Sequence, residues 1–370
     1  MTIFPGAGSI EIRVSLAGEI ICSVEIRSTR PVGLTRVFVG REPSHAPLLA
    51  RQLFSLCGAA QAAAASQAVA WAQGRRVDSG EVFGHSLGVL TERVFEGLRG
   101  LALGWPDAEG GSAAQGRAAP HLRDAATAAR GLIAASASGL GRARRQELLC
   151  SHARLTAAAQ ALGLASDPAA PPEAASYFAG LAQQCATETA FLLEAPDALN
   201  EEDDRDVVAA LRRDPEAFAG APRLAQRGVE TGAHARLGRR DGSGLLPRLS
   251  ARLADMAHSL SALETALRSG EAAEAGAGGG AGTDAGYGVV ESARGRLYHL
   301  AQITSRGRIG EYRIVAPTEW NFHANGPYVA AALGARLPRA QSGRLSLERL
   351  AALFDPCVGF EVSLKEFAGA

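Results

Sequence analysis

Residues 9–28 alternate apolar and polar side chains on both sides of Ala17-Gly18, the period-two pattern of a β-hairpin with one buried face. At 44–74 the period becomes helical: Leu49, Leu53, Leu56 and Ala60 fall on one stripe at spacings of four, three and four. Pro43 and Pro47 suit the lead-in and first turn of this helix, and Gly74 suits its exit. Cys57 lies beside the stripe, so its side chain is expected at the interior or its edge. Helical, Ala/Leu-rich stretches follow at 84–104 and 118–164, a Pro-rich loop at 166–172 leads into a helix through Leu193, and 248–268 is amphipathic. Residues 295–304 and 307–315 alternate again around a tight turn, 316–322 reads as a rigid aromatic loop, and helices are expected at 326–336 and 346–354. The fold class is mainly α with small β-hairpins near both ends, an α+β chain, organised as a single domain over 1–370. Residues 271–288, with AGAGGGAGTDAG inside them, are expected to form a flexible Gly/Ala-rich loop, because such a composition offers little side chain to bury.

Composition narrows the function classes. At 370 residues and 38.2 kDa the chain can bury a large core. Its 38 basic and 38 acidic residues balance, which points away from nucleic acid as a partner. Although 47% of residues are hydrophobic, many are alanine and no uninterrupted apolar run is long enough to span a bilayer, so no membrane insertion is expected. The N-terminal residues lack the basic-then-apolar pattern of a secretory signal, and a cytoplasmic location is expected. Five widely spread cysteines make a disulfide framework improbable; Cys22, Cys150 and Cys185 are expected to pack as small buried hydrophobes. The acidic run 200–206 reads as a solvated helix start, and GAGGGAG lacks the Lys-Ser/Thr ending of a phosphate loop. The eight histidines show no metal-site spacing, and His45 and His323 read as surface or core residues.

Two cysteines stand out. Phe54-Ser55-Leu56-Cys57 and Asp355-Pro356-Cys357-Val358-Gly359-Phe360 read as F-x-x-C and D-P-C-x-x-F, each a C-x-x-C pair with one thiol missing. Two thiolates can hold one soft metal centre, whereas two metals side by side need about four. Upstream, Gly40-Arg41-Glu42-Pro43 precedes Cys57 by fourteen residues; before the second cysteine come Glu291-Ser292-Ala293-Arg294-Gly295 and Ala316-Pro317-Thr318-Glu319-Trp320-Asn321. These segments, in this order, resemble the signatures of the nickel–iron hydrogenase large subunit: G-R-x-P followed by R-I-C-G-x-C-x-x-x-H, then E-A-P-R-G, then P-T-T-W-N, then D-P-C-x-x-C-x-x-H. In that correspondence Phe54 and Phe360 stand at cysteine positions, Gln61 and Ser363 at histidine positions, and Pro5-Gly6-Ala7-Gly8-Ser9 at the stretch holding the family's relay glutamate.

The resemblance implies a large-subunit-like fold reduced in size, and it implies roles residue by residue. Cys57 and Cys357 would be thiolate ligands to iron. Arg294 and Thr318 would be donors to the cyanide ligands on that iron, a fitting task for a guanidinium and a hydroxyl in a dry pocket. With half the thiolates and the relay glutamate missing, the chain is more similar to the non-catalytic maturation factors of the HupK/HoxV type than to a working hydrogenase. That implies an accessory scaffold, not an enzyme, on which iron carrying CO and cyanide is assembled or held, with no nickel and no maturation cut. Its partners would be other hydrogenase maturation proteins and the hydrogenase large-subunit precursor. Two alternatives stay open: a metal-free chaperone or pseudo-subunit, and an active hydrogenase-like enzyme with unusual ligands.

Overall fold

A computed structural model describes residues 8–31, 33–107, 113–135, 142–191, 196–225, 227–237, 242, 244–273, 276–337 and 341–366. The expected hairpin forms as β1 (Ser9–Ala17) and β2 (Ile20–Ser28), antiparallel around Gly18, which takes φ 66°. Ile10, Ile12, Val14 and Leu16 point inward, while Glu11 and Arg13 pair on the outer face. Pro5-Gly6-Ala7 lies outside the described residues.

The helical segment at 44–74 is two helices, not one. After a single 3-10 turn at Pro43–His45, α1 (Ala46–Leu53) stops, a turn covers residues 54–57, and α2 (Gly58–Ala72) starts afresh. A Cβ on Gly58 would sit 2.9 Å from the Arg51 carbonyl oxygen, so glycine lets α2 begin hard against the end of α1. Helix α2, nine of whose fifteen residues are alanine, is buried on nearly every side, which explains why no amphipathic stripe survives in it.

The long helices α3 (Ser79–Leu103), α4 (Ala113–Ala135), α5 (Arg142–Ala161) and α6 (Tyr177–Ala186) follow. Residues 136–141 inside the 118–164 stretch lie outside the described residues. The helix expected to reach Leu193 ends earlier, at Ala186, and residues 187–191 are non-helical. A parallel pair of two-residue strands, β3 (Asp197–Ala198) and β4 (Val229–Glu230), brackets α7 (Asp204–Arg213) and α8 (Pro215–Gly220); α9 (Ala233–Arg236) and α10 (Leu245–Ser269) come next. The acidic run does start a helix, but its centre is not solvated. Asp203 and Asp204 are buried, and Arg227 and Arg296 respectively hold them.

The flexible loop expected at 271–288 is overturned over its second half. Strands β5 (Ala277–Gly282) and β6 (Ala285–Ser292) continue into β7 (Gly295–Ile303) and β8 (Ile309–Val315) as a four-stranded antiparallel meander. The glycines are there because α2 lies directly on this sheet. A Cβ on Gly286 would come within 2.3 Å of the Ala72 nitrogen, and one on Gly288 within 2.1 Å of the Ala64 oxygen. An alanine helix on a glycine strand is close packing by absence of side chains.

Residues 317–321, expected as loop, form the short helix α11 (Pro317–Asn321), with Pro317 at its first turn. Helices α12 (Pro327–Ala332) and α13 (Gln341–Phe354) follow, and the chain then adds β9 (Gly359–Glu366) parallel to β1. That pairing sets Ile10 opposite Phe360, and so carries the second cysteine segment back to the N-terminal hairpin. The largest core runs from β1 and β9 through α3, α4, α5, α10 and α13. Cys185 is buried as expected, whereas Cys22 and Cys150 are exposed. Among the described residues no helix is long and apolar enough to cross a membrane.

Candidate metal centre

Cys57 sits at the break between α1 and α2. It is the N-cap of α2, with φ −146° and ψ 35°, and its carbonyl accepts the first helical hydrogen bond from the Gln61 amide at 2.9 Å. A thiol caps a helix poorly, so the exposed amides of the first turn need another acceptor. Glu92 on α3 supplies it, accepting from the Ala59 and Ala60 amides at 2.7 and 3.0 Å. Burial pushes the Glu92 carboxyl up to about 7 against the pull of those two amides. Burial first, then the Cys357 sulfur and Glu92, pushes the Cys57 thiol up to about 12; Arg294 and the Gln61 side chain act in the opposite direction.

Cys357 lies in the turn between α13 and β9. Pro356 forbids continuation of α13, and Asp355 takes the left-handed region at φ 54°, a conformation that aspartate tolerates better than most residues. Arg252 on α10 fixes this turn, donating to the Ala352 oxygen at 2.8 Å and to the Asp355 carboxylate at 3.0 Å. Thr318, at the start of α11, places its hydroxyl 3.4 Å from the Cys357 sulfur, and the Cys357 amide donates to the same oxygen at 3.4 Å.

Arg294 ties the two cysteine segments together. It projects from the tight β6–β7 turn, where Gly295 takes φ 126° and a Cβ would lie 2.3 Å from the Thr231 hydroxyl. Its guanidinium donates to Glu96 at 2.9 Å and to the Leu56 oxygen at 3.3 Å, and lies 3.5 Å from the Asp355 carboxylate. Asp355, Glu96 and both sulfurs raise its pKa against the desolvation of a buried cation. The four residues singled out in the sequence are thus brought together: Thr318 touches Cys357, Arg294 spans both halves, and each sulfur lies within electrostatic reach of Arg294. His45 is exposed and His323 half-buried.

Other residues of the centre were not recognised in the sequence. Arg30, just after the hairpin, forms an ion pair with Glu319, and both sulfurs and Glu319 raise its pKa against desolvation. Glu319 is the neighbour of Thr318 and was passed over within a quoted motif. Glu92 and Glu96 are a pair of carboxylates one helical turn apart amid apolar residues, a spacing visible in the sequence. Gln61, which stands at a histidine position of the resembled family, donates from Nε2 to the Cys57 sulfur at 3.5 Å. Phe54 and Phe360, at the missing cysteine positions, are half-buried, and Phe360 packs on the main core.

A donor set of two thiolates with hydroxyl, amide and guanidinium donors beside them suits a soft metal that brings ligands of its own. Among the described residues there is no group of three or more His, Cys, Asp or Glu side chains placed to hold a metal ion.

Residues 231–362 match the family model described as nickel-dependent hydrogenase. The chain is 44% identical to "Hydrogenase expression/formation protein HupK" of Rhizobium leguminosarum bv. viciae over the full length of both. It is 35% identical to the protein of the same description from Bradyrhizobium diazoefficiens, covering 96% of this chain and 97% of that one. It is 31% identical to "Hydrogenase expression/formation protein HoxV" of Cupriavidus necator, covering 93% and 94%. Among solved structures, the Ni-Fe-Se hydrogenase from D. vulgaris Hildenborough aligns with a TM-score of 0.68 over 93% of this chain and 94% of that one, at 14% identity. That likeness is one of fold, and it carries the expected large-subunit-like α+β architecture.

Proposed function

The chain belongs to the hydrogenase expression/formation proteins of the HupK/HoxV type, and from that premise we propose that it is a non-catalytic scaffold for an iron centre bearing CO and cyanide. The supporting observation is that Cys57 and Cys357, distant in sequence, lie within electrostatic reach of each other and of one buried arginine, with a hydrogen-bond donor on each sulfur. In this reading the cargo arrives with its diatomic ligands, so two thiolates suffice to hold it. Arg294 and Thr318 are the candidate donors toward the cyanides. Arg294 reaches that role already anchored by Glu96 and the Leu56 oxygen, which fix its plane. The partners are other hydrogenase maturation proteins and the large-subunit precursor that receives the cargo, in the cytoplasm.

The test is infrared spectroscopy on protein purified without oxygen from cells that express the iron-centre assembly machinery. The expected result is a set of CO and cyanide stretches that vanishes in Cys57→Ser and in Cys357→Ser. A bare spectrum from cells whose assembly machinery is active would overturn the carrier and leave a metal-free chaperone.

A further inference from the structure

Behind the Cys57 sulfur runs a closed line of buried hydrogen bonds. Gln61 Nε2 faces the sulfur at 3.5 Å, and its Oε1 lies 2.8 Å from His299 Nε2 on β7. His299 Nδ1 lies 2.7 Å from the Tyr312 hydroxyl on β8, and Phe38 stacks on the Tyr312 ring at 4.0 Å and 9°. Gln61, His299, Tyr312 and Phe38 are all at most 2% exposed. Burying an amide, an imidazole and a phenol in one line is costly unless every polar atom is satisfied. Here the line ends on sulfur.

Inventory allows the line two polarities, set by the His299 tautomer. Burial lowers the His299 pKa to about 3 and raises that of Tyr312, so the imidazole is neutral and the phenol keeps its proton. A neutral imidazole has one donor and one acceptor nitrogen. If Nε2 carries the hydrogen, it donates to Gln61 Oε1, Nδ1 accepts from Tyr312, and the Gln61 NH2 is turned to Cys57. If Nδ1 carries it, every bond reverses and Gln61 presents its oxygen to the sulfur.

We propose that His299 and Tyr312 lock Gln61 as a fixed N–H donor to the Cys57 sulfur, and that this donor weakens the sulfur's hold on metal. The inference rests on Cys57 being a thiolate ligand and adds the residues that set how readily that ligand lets go. An N–H···S bond draws electron density from a thiolate, so the metal–sulfur bond is less covalent and easier to break. The resembled family has a histidine at position 61. Here the imidazole stands one hydrogen bond further back, on β7, and acts through an amide that cannot itself titrate.

Cobalt(II) serves as the probe, because its sulfur-to-metal charge-transfer band reports thiolate ligation directly. Gln61→Leu is expected to move that band to longer wavelength and slow cobalt transfer to a chelator several-fold. His299→Leu, acting through Gln61, should change both in the same direction and by less, and the double variant should match Gln61→Leu. Gln61→His, which restores an N–H at that position, should recover most of the band position. Unchanged band and unchanged transfer rate in both single variants would overturn the proposal. A second readout needs neither metal nor a core variant: 15N NMR of the His299 ring in the metal-free wild type. The Nε2–H tautomer supports the lock; the Nδ1–H tautomer turns the Gln61 oxygen to the sulfur and overturns it. A wild type without a cobalt–thiolate band would count against the thiolate site alone and leave the tautomer to decide the lock.

Discussion

The two cysteines of the centre are held in opposite ways. Cys57 is set in a rigid frame: the start of a helix whose later turns pack on glycine strands, a buried carboxylate capping its first turn, and the Gln61–His299–Tyr312 line behind its sulfur. Cys357 hangs in a turn, fixed by Arg252 on one side and by the 3.4 Å contacts to Thr318 on the other. Both cysteines are half-buried, but one sits at a helix start in a many-bonded frame and the other sits in a turn. For the carrier proposed above, such asymmetry would let one sulfur move while the other keeps the register. The comparison also says where substitutions should hurt most.

The largest effect is expected at the residue shared by both halves. Arg294→Ala leaves the buried Glu96 and half-buried Asp355 carboxylates without this cation and removes the donor to Leu56, so it should destabilise the fold by about 3–5 kcal/mol. Urea denaturation of the purified variant measures this. A cost below about 1 kcal/mol would mean that the halves are held together by packing, and that Arg294 is not the tie.

A smaller effect belongs to the Cys57 half alone. The Glu92 carboxyl is raised from 4.5 to about 7 in the folded chain, so between those pH values the folded state binds more of the proton than the unfolded state does. Stability from this group is therefore full below about pH 4.5 and is lost as pH rises through 7, a change on the order of 3 kcal/mol. Glu92→Gln keeps one acceptor oxygen where Ala59 and Ala60 now use two, and removes the titration. Denaturation series from pH 4.5 to 8 should show wild type losing stability relative to Glu92→Gln. The opposite slope would show that the two backbone amides outweigh desolvation and that the cap is ionised.

How much of this was legible depended on whether local pattern or distant contact decides each element. The β1–β2 hairpin and β8 carry periodicities that survive in one strip of sequence, because each has one more buried and one more open face, whereas β7 and much of α3 are buried almost throughout and were legible from their apolar content instead. Helix α2 has no such faces, so the break at Phe54–Cys57 was invisible; it depends on Gly58 approaching the Arg51 oxygen. The run at 277–288 was misread as flexible because its strands are defined by what they lack: Gly286 and Gly288 make room for α2, and a single strip of sequence does not show the helix. Strand β9 pairs in parallel with the opposite end of the chain, a contact with no local signal. In the centre itself, the resemblance pointed to Cys57, Cys357, Arg294 and Thr318, all at motif positions. Arg30 and His299 join through long-range contacts that no motif marks, and Glu319, inside a quoted motif, shows its role only through its pairing with Arg30.

The smallest effect sharpens the other side of the comparison. Thr318→Val keeps shape and volume near Cys357 but removes the hydroxyl that faces its sulfur and accepts from its amide. Both contacts are long at 3.4 Å and the segment is partly open to solvent, so the cost should be about 1 kcal/mol or less. The informative readout is local: amide hydrogen exchange at Cys357 should quicken, while the Ala59 and Ala60 amides under Glu92 keep their protection. If Thr318→Val instead cost as much as Arg294→Ala, or loosened Ala59 and Ala60 as well, the two halves would be one cooperative unit. The asymmetry that suits a releasing site would then be lost, and release would have to come from opening the whole centre.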